Sequence, residues 1–129
     1  MILLDTDTCI ELLRGNKRVL QRCGRYDGIV GLSFMSIAEL YYGAEKSKDP
    51  SRNIDTIDTL LLSLEIIQTN ISILRRFGLI KAHLQKQGVT VADADILIAA
   101  TTLERAERLI TGNSRHFERI PGLVTEDWR

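Results

Sequence analysis

The residues best suited to chemistry in this sequence are carboxylates at the predicted junctions between strands and helices. Asp5 and Asp7 follow the apolar run "MILL", Glu39 lies in "SIAEL", and Asp93 and Asp95 lie in "ADADILIAA". A carboxylate next to a buried strand or helix is costly unless it is paired or bound to a cation. Several together would repel each other, and Mg²⁺ or Mn²⁺, which prefer oxygen ligands, would remove that repulsion. The pattern therefore predicts a divalent metal site, typical of phosphoryl or phosphodiester chemistry.

The acids nearest the amino terminus also have a purely structural interpretation. Asp is a good helix cap, so Asp5 and Asp7 could simply serve the turn into the first helix. Ser36 and Glu39 have the spacing of a capping box at the start of another helix.

The two later acids cannot both serve the same purpose. Side chains two residues apart in a helix point about 200° away from each other, so Asp93 and Asp95 cannot share one face. We expect Asp93 to cap its helix and Asp95 to bind metal, because "ILIAA" after Asp95 has almost no polar face. The reverse assignment stays open.

No other catalytic set competes with the carboxylates. The only histidines, His83 and His116, lack zinc-ligand spacing, and Cys9 and Cys23 have no nearby base. The chain contains no GxSxG, Walker A or GxGxxG sequence. The expected nucleophile is therefore a metal-activated water.

Apolar runs with strand character alternate with helical patterns along the whole chain. This predicts an α/β fold, a single domain over residues 1–129 with a central parallel sheet of four to five strands and helices on both faces. In such sheets, ligands bind beyond the carboxyl ends of the strands. Asp5 follows the first predicted strand and Asn113 follows the fourth, "RLITGN".

Composition narrows the function less than the motifs do. The 129 residues carry 17 basic and 17 acidic side chains, so net charge does not indicate a nucleic-acid binder. Two cysteines and no membrane-length apolar run are consistent with a cytoplasmic protein. A basic run without acids is either a solvated helix face or a surface for the RNA backbone; it comprises Arg14, Lys17, Arg18, Arg22 and Arg25.

Four ordered stretches resemble the PIN-domain ribonucleases. They are "LLDTDTCIELLRG", "SIAELYYGAEKS", "DADILIAATTLE" and "LITGNSRHFERIPGLVTEDW", the last similar to the closing block of VapC-type toxins. The resemblance implies a Mg²⁺- or Mn²⁺-dependent endoribonuclease with Asp5, Glu39 and Asp95 as metal-binding and catalytic residues. It also implies a cognate antitoxin, a structured RNA substrate such as tRNA, and a homodimer. Thr6, Ser36 and Asn113 would support the metal ligands.

Two features of the sequence keep other interpretations open. The family often has a fourth acid at the position of His116, so a second metal would be held weakly, and a PIN-like module that only binds a partner is an alternative. The opening "DTDTC" also resembles haloacid-dehalogenase-like phosphatases, with Asp5 and Asp7 as the two acids. Cys9, however, stands where that class has Thr or Val.

Overall fold

The chain forms five short strands, and one or two helices lie between each strand and the next. The structure is a computed structural model that describes all 129 residues. In chain order the elements are β1 (Ile2–Leu4), α1 (Thr6–Leu13), α2 (Lys17–Arg25), β2 (Val30–Ser33), α3 (Phe34–Glu45), α4 (Pro50–Leu61), β3 (Glu65–Ile67), α5 (Ile71–Lys86), α6 (Asp93–Arg105), β4 (Leu109–Ile110), α7 (Ser114–Phe117) and β5 (Thr125–Glu126).

All five strands are parallel and form one sheet in the order β3-β2-β1-β4-β5. The chain builds outward from β1 to β3 and then returns to the other side of β1, so the strand order reverses between β1 and β4. Leu4 is the register partner of Ile110 in this central pair. The next residue of each strand, Asp5 and Thr111, therefore lies at the switch point, where open α/β sheets bind ligands. The predicted parallel α/β fold is confirmed.

Helices cover both faces of the sheet because successive strand residues point to opposite sides. Leu3 packs in a core with residues of α5 and α6, such as Ile80 and Ile98. Ile2 and Leu4 point into a second core with residues of α1 to α4. No helix is both long enough and apolar enough to cross a membrane.

The helix α3 begins earlier than the capping-box pattern predicts. α3 is capped by Ser33, whose Oγ accepts a hydrogen bond from the Ser36 N–H, so the predicted cap at Ser36 is wrong. Phe34 and Met35, which belong to the apolar run "GIVGLSFMS" that has strand character, are helical and pack against the first core cluster. α1 begins at Thr6 with Asp5 as its cap. Tertiary packing and these caps overrode the β-propensity of the apolar residues.

Candidate active site

Asp5 is the most buried acid of the chain and joins the two central strands. Its side chain is only 4% exposed. Oδ1 accepts a hydrogen bond of 2.8 Å from the Thr6 N–H, which caps α1, and Oδ2 accepts one of 2.7 Å from the Thr111 hydroxyl. Thr111 is itself fully buried. Sequence reasoning missed Thr111, although its place directly after β4 matches that of Asp5 after β1.

The surroundings of Asp5 disfavour its negative charge. The pKa of Asp5 is raised to about 7, mainly by burial and in part by the nearby charges of Asp7 and Asp95, although the hydrogen bonds from Thr111 and Thr6 lower it. Two hydrogen bonds therefore do not offset the cost of burying this carboxylate among other acids. A bound cation would offset that cost.

Asp7 holds the loop after β4 against the start of α1. Its Oδ2 accepts hydrogen bonds from the Gly112 N–H at 3.1 Å and from Nδ2 of Asn113 at 3.2 Å. Asn113 is thus at the site, as its position after the fourth strand predicts, but its amide is directed at Asp7. A phosphatase would need Asp5 as an accessible nucleophile, and Asp5 is buried with both oxygens engaged. This geometry disfavours the dehalogenase-like alternative.

Hydroxyl groups hold Glu39 near the start of α1. The Thr6 hydroxyl donates a 2.7 Å hydrogen bond to Oε1 of Glu39, and Ser36 Oγ lies 3.0 Å from the same hydroxyl. Ser33 Oγ lies 3.3 Å beyond Ser36 Oγ, and both serines are fully buried. The chain of hydroxyls anchors one oxygen of Glu39 and leaves Oε2 without a protein partner. Glu39 therefore faces the site, and the interpretation as a capping box is wrong.

The two acids of α6 face different neighbours. Asp95 is 25% exposed and approaches His116, whose Nδ1 lies 3.6 Å from its Oδ2. Asp93 is 60% exposed and pairs with Lys81 of α5 at 2.8 Å. Ala92 occupies the cap position and makes no side-chain cap hydrogen bond, so the prediction that Asp93 caps the helix is wrong. The ion pair with Lys81 holds Asp93 away from the other acids.

The donor set suits a hard divalent cation, although the acids are not gathered around one. No group of three His, Cys, Asp or Glu side chains is arranged as a metal site. Asp5, Asp95 and Glu39 nevertheless offer carboxylate oxygens, the ligands that Mg²⁺ and Mn²⁺ prefer. The burial of Asp5, which raises its pKa together with the charges of Asp7 and Asp95, is the observation that favours a cation here.

The basic run is spread over the surface, and Arg14 is the member that lines the same groove as Glu39. Arg14 pairs with Glu11 at 3.7 Å, and Arg22 pairs with Glu126 at 3.5 Å while its guanidinium lies over the Trp128 ring. α2 ends at Arg25 shortly before β2 begins, so its last turn lies toward the amino ends of the strands. The acids lie at the opposite side of the sheet, toward the carboxyl ends of the strands. Lys17, Arg18 and Arg25 remain exposed.

The parallel sheet defines an α/β protein with acidic side chains at the switch point between β1 and β4. The family model for the PIN domain matches residues 2–123. The chain belongs to the PIN domain family, as the four ordered stretches of the sequence predict.

Named relatives and solved structures resemble the chain along almost its full length. Ribonuclease VapC2 of Haemophilus influenzae is 39% identical, over 98% of this chain and 96% of that protein. The tRNA(fMet)-specific endonuclease VapC of Shigella flexneri is 35% identical over the same shares. The crystal structure of VapBC2 from Rickettsia felis bound to a promoter DNA fragment superposes with a TM-score of 0.94 at 30% identity, covering 100% of both chains.

Proposed function

We propose that this protein is the toxin of a toxin–antitoxin pair and cleaves RNA as a metal-dependent endoribonuclease. The observation that carries the proposal is the buried Asp5 at the switch point, with a raised pKa to which Asp7 and Asp95 contribute. The names of the relatives support ribonuclease activity, since they are VapC ribonucleases and a tRNA endonuclease.

Asp5, Glu39 and Asp95 are the residues proposed to hold Mg²⁺ or Mn²⁺. The chemistry that such a cation supplies is a lowered pKa for an attacking water and neutralisation of charge on the phosphate. Oε2 of Glu39 and Oδ1 of Asp95 accept no hydrogen bond within the protein. Either oxygen is available to orient a water or to take its proton.

Neighbouring hydroxyl and amide groups have positioning roles in this proposal. Thr111 fixes the orientation of Asp5, and Thr6, backed by Ser36, fixes that of Glu39. Asn113 ties Asp7 to the loop after β4. These groups restrict the rotamers of the acids, which is how supporting hydrogen bonds tune a metal site.

The proposed partners are a structured RNA such as tRNA and a cognate antitoxin. One relative is named as specific for tRNA(fMet), and two of the similar solved structures are complexes named VapBC. A groove of about 410 Å³ between α1, α3 and α4 has apolar walls that include Ile10 and Leu40, with Glu39 among its lining residues. An antitoxin bound in this groove would cover a site acid.

We also propose that the protein is a homodimer and that it is located in the cytoplasm.

The proposal is tested by incubating antitoxin-free protein with total bacterial RNA and mapping the new ends. We expect cuts at few positions, concentrated in structured RNA, that require Mg²⁺ or Mn²⁺ and are suppressed when the antitoxin is added. A phosphatase assay on a small phosphomonoester serves as the control and should show no turnover. If no RNA is cut with either metal, the binding-module alternative replaces the endoribonuclease.

Replacing His116 with Asp is expected to tighten metal binding. His116 lies beside Asp95, so a carboxylate at this position adds a negative ligand where the family often has one. Because divalent-cation affinity rises with the number of charged ligands, we expect roughly tenfold tighter binding of a weakly held Mn²⁺. Calorimetric titration with Mn²⁺ measures this directly.

Ser114→Asp is the matched control for His116→Asp. It adds the same charge to α7 at an exposed position that has no hydrogen bond or ion pair with Asp95. Equal Mn²⁺ affinity in the two variants would mean that the effect is general electrostatics. Affinity unchanged from the natural protein would show that position 116 contributes no ligand.

A further inference from the structure

A small cleft lies directly beside Asp95, and the proposed chemistry does not use it. The segment 89–92 before α6 and the region of α7 enclose a cleft of about 230 Å³. Three cationic or titratable side chains of one short segment line it, Arg115, His116 and Arg119, and Asp95 is its only acid. The cleft therefore begins at an acid of the proposed active site and continues along a basic wall.

The two arginines of this wall are not neutralised by the protein. Arg108, Arg22 and Arg76, elsewhere on the surface, each pair with a glutamate. Neither Arg115 nor Arg119 belongs to any ion pair, and both are exposed. Asp95, the one carboxylate nearby, is approached by His116. The guanidinium groups are thus free to bind an external anion.

The size and position of the cleft indicate that the anion is a phosphate group. A site built from carboxylates repels a phosphodiester backbone, so a substrate needs cations close to the acids. Guanidinium groups match the oxygens of a phosphate in shape and charge. The volume is below the usual 300–1,000 Å³ of small-molecule pockets, which favours a phosphate group over a complete nucleotide.

We propose that this cleft binds a phosphate of the RNA adjacent to the one that is cut, through Arg115 and Arg119. The inference rests on the proposed endoribonuclease function and adds to it a substrate-binding surface next to Asp95. The cleft is separate from the basic run between Arg14 and Arg25, of which Arg14 and Arg22 already have carboxylate partners.

The test compares the binding of RNA by the natural protein and by the double variant Arg115→Gln/Arg119→Gln. The probe is a fluorescein-labelled tRNA(fMet) transcript, and its anisotropy is measured in EDTA so that no cleavage interferes. At about 0.1 M salt we expect the double variant to bind roughly tenfold more weakly, with a slope of log affinity against log salt that is smaller by about one.

Arg52→Gln/Arg75→Gln is the matched control, because it removes the same charge from exposed, unpaired arginines of α4 and α5. It should keep the affinity of the natural protein, and thermal unfolding should show that both double variants are folded. Equal affinity of the cleft variant and the control, or a cleft variant that loses antitoxin but not RNA, overturns the inference.

Cleavage of the same transcript in Mg²⁺ separates this inference from the proposed function. If the natural protein cuts the RNA and the cleft variant binds it as tightly as the control, only the cleft assignment fails. If the cleft variant loses RNA affinity but the natural protein never cuts RNA, the cleft stands as an RNA site and the endoribonuclease assignment fails.

Discussion

Asp5→Asn and Asp95→Asn should each abolish RNA cleavage while the protein remains folded. Each substitution keeps the size of the side chain but removes one of the charges proposed to hold the metal. We expect the rate of cleavage to fall by about a thousandfold or more, because charge stabilisation at the phosphate is among the largest contributions to catalysis. Single-turnover cleavage of a labelled tRNA transcript measures the rate, and circular dichroism checks the fold.

The effect of Asp5→Asn on stability should depend on pH when metal is absent. The pKa of Asp5 rises from 3.8 to about 7 on folding, so the stabilisation present below pH 3.8 is lost as the pH rises through 7. Asparagine does not titrate, so the variant avoids this loss. In EDTA, the variant should gain about 2 to 3 kcal/mol in unfolding free energy relative to the natural protein between pH 5 and pH 8. Urea denaturation at the two pH values gives this difference.

Asp93→Asn is the matched control for both experiments. It removes an acid from the same turn as Asp95, but Asp93 is exposed and pairs only with Lys81. An exposed ion pair contributes about 0 to 1 kcal/mol, so activity should persist and stability should change little. Full activity of Asp5→Asn or Asp95→Asn would end the metal-site assignment. Loss of activity in Asp93→Asn alone would show that the roles of the two acids are reversed.

The RNA fragments should carry 5′-phosphate and 3′-hydroxyl ends, and EDTA should stop their formation. Ribonucleases that use the 2′-hydroxyl of the RNA as nucleophile need a base and an acid near neutral pKa, usually histidines. His83 lies in the last turn of α5 and His116 lies beside Asp95, and no hydrogen bond or ion pair joins the two histidines. Attack by water at the phosphorus leaves the phosphate on the 5′ side of the downstream fragment.

Sequencing of the ends with and without phosphatase treatment distinguishes the two routes. A transcript with a 2′-deoxy residue at the cut should still be cleaved, more slowly if the local shape of the RNA matters for binding. Asp5→Asn protein, purified in parallel, controls for contaminating nucleases. Cyclic-phosphate ends formed in EDTA by the natural protein, and absent with the variant, would refute the metal mechanism and retain a role for Asp5.

The sequence by itself determined the architecture and the edge of the sheet where chemistry is expected. Alternating strand and helix patterns predict a parallel α/β sheet, because period and turn residues are local properties of the chain. Asp5 directly follows an apolar strand, and Asp95 opens an apolar helix. Residues placed in this way lie near the carboxyl ends of parallel strands, so the sequence pattern predicts a shared site for Asp5 and Asp95, to which the resemblance to PIN-domain ribonucleases adds Glu39.

Only the tertiary structure decided which groups orient those acids. Thr111 reaches Asp5 from 106 residues away, because β1 and β4 are neighbours in the sheet and end at the same level. Lys81 draws Asp93 toward α5, which a helical period cannot reveal. Caps and single-residue orientations depend on contacts between distant elements.

The basic cleft beside Asp95 shows that the sequence alone also does not reveal which charged side chains remain unpaired. In the sequence, the conspicuous basic run is 14–25, whereas Arg115 and Arg119 are interspersed with other residues. Folding pairs Arg22 with Glu126 and leaves the two arginines near α7 free next to the acids. The availability of a charge depends on which opposite charges the fold brings within a few ångströms, and that is a property of three-dimensional packing.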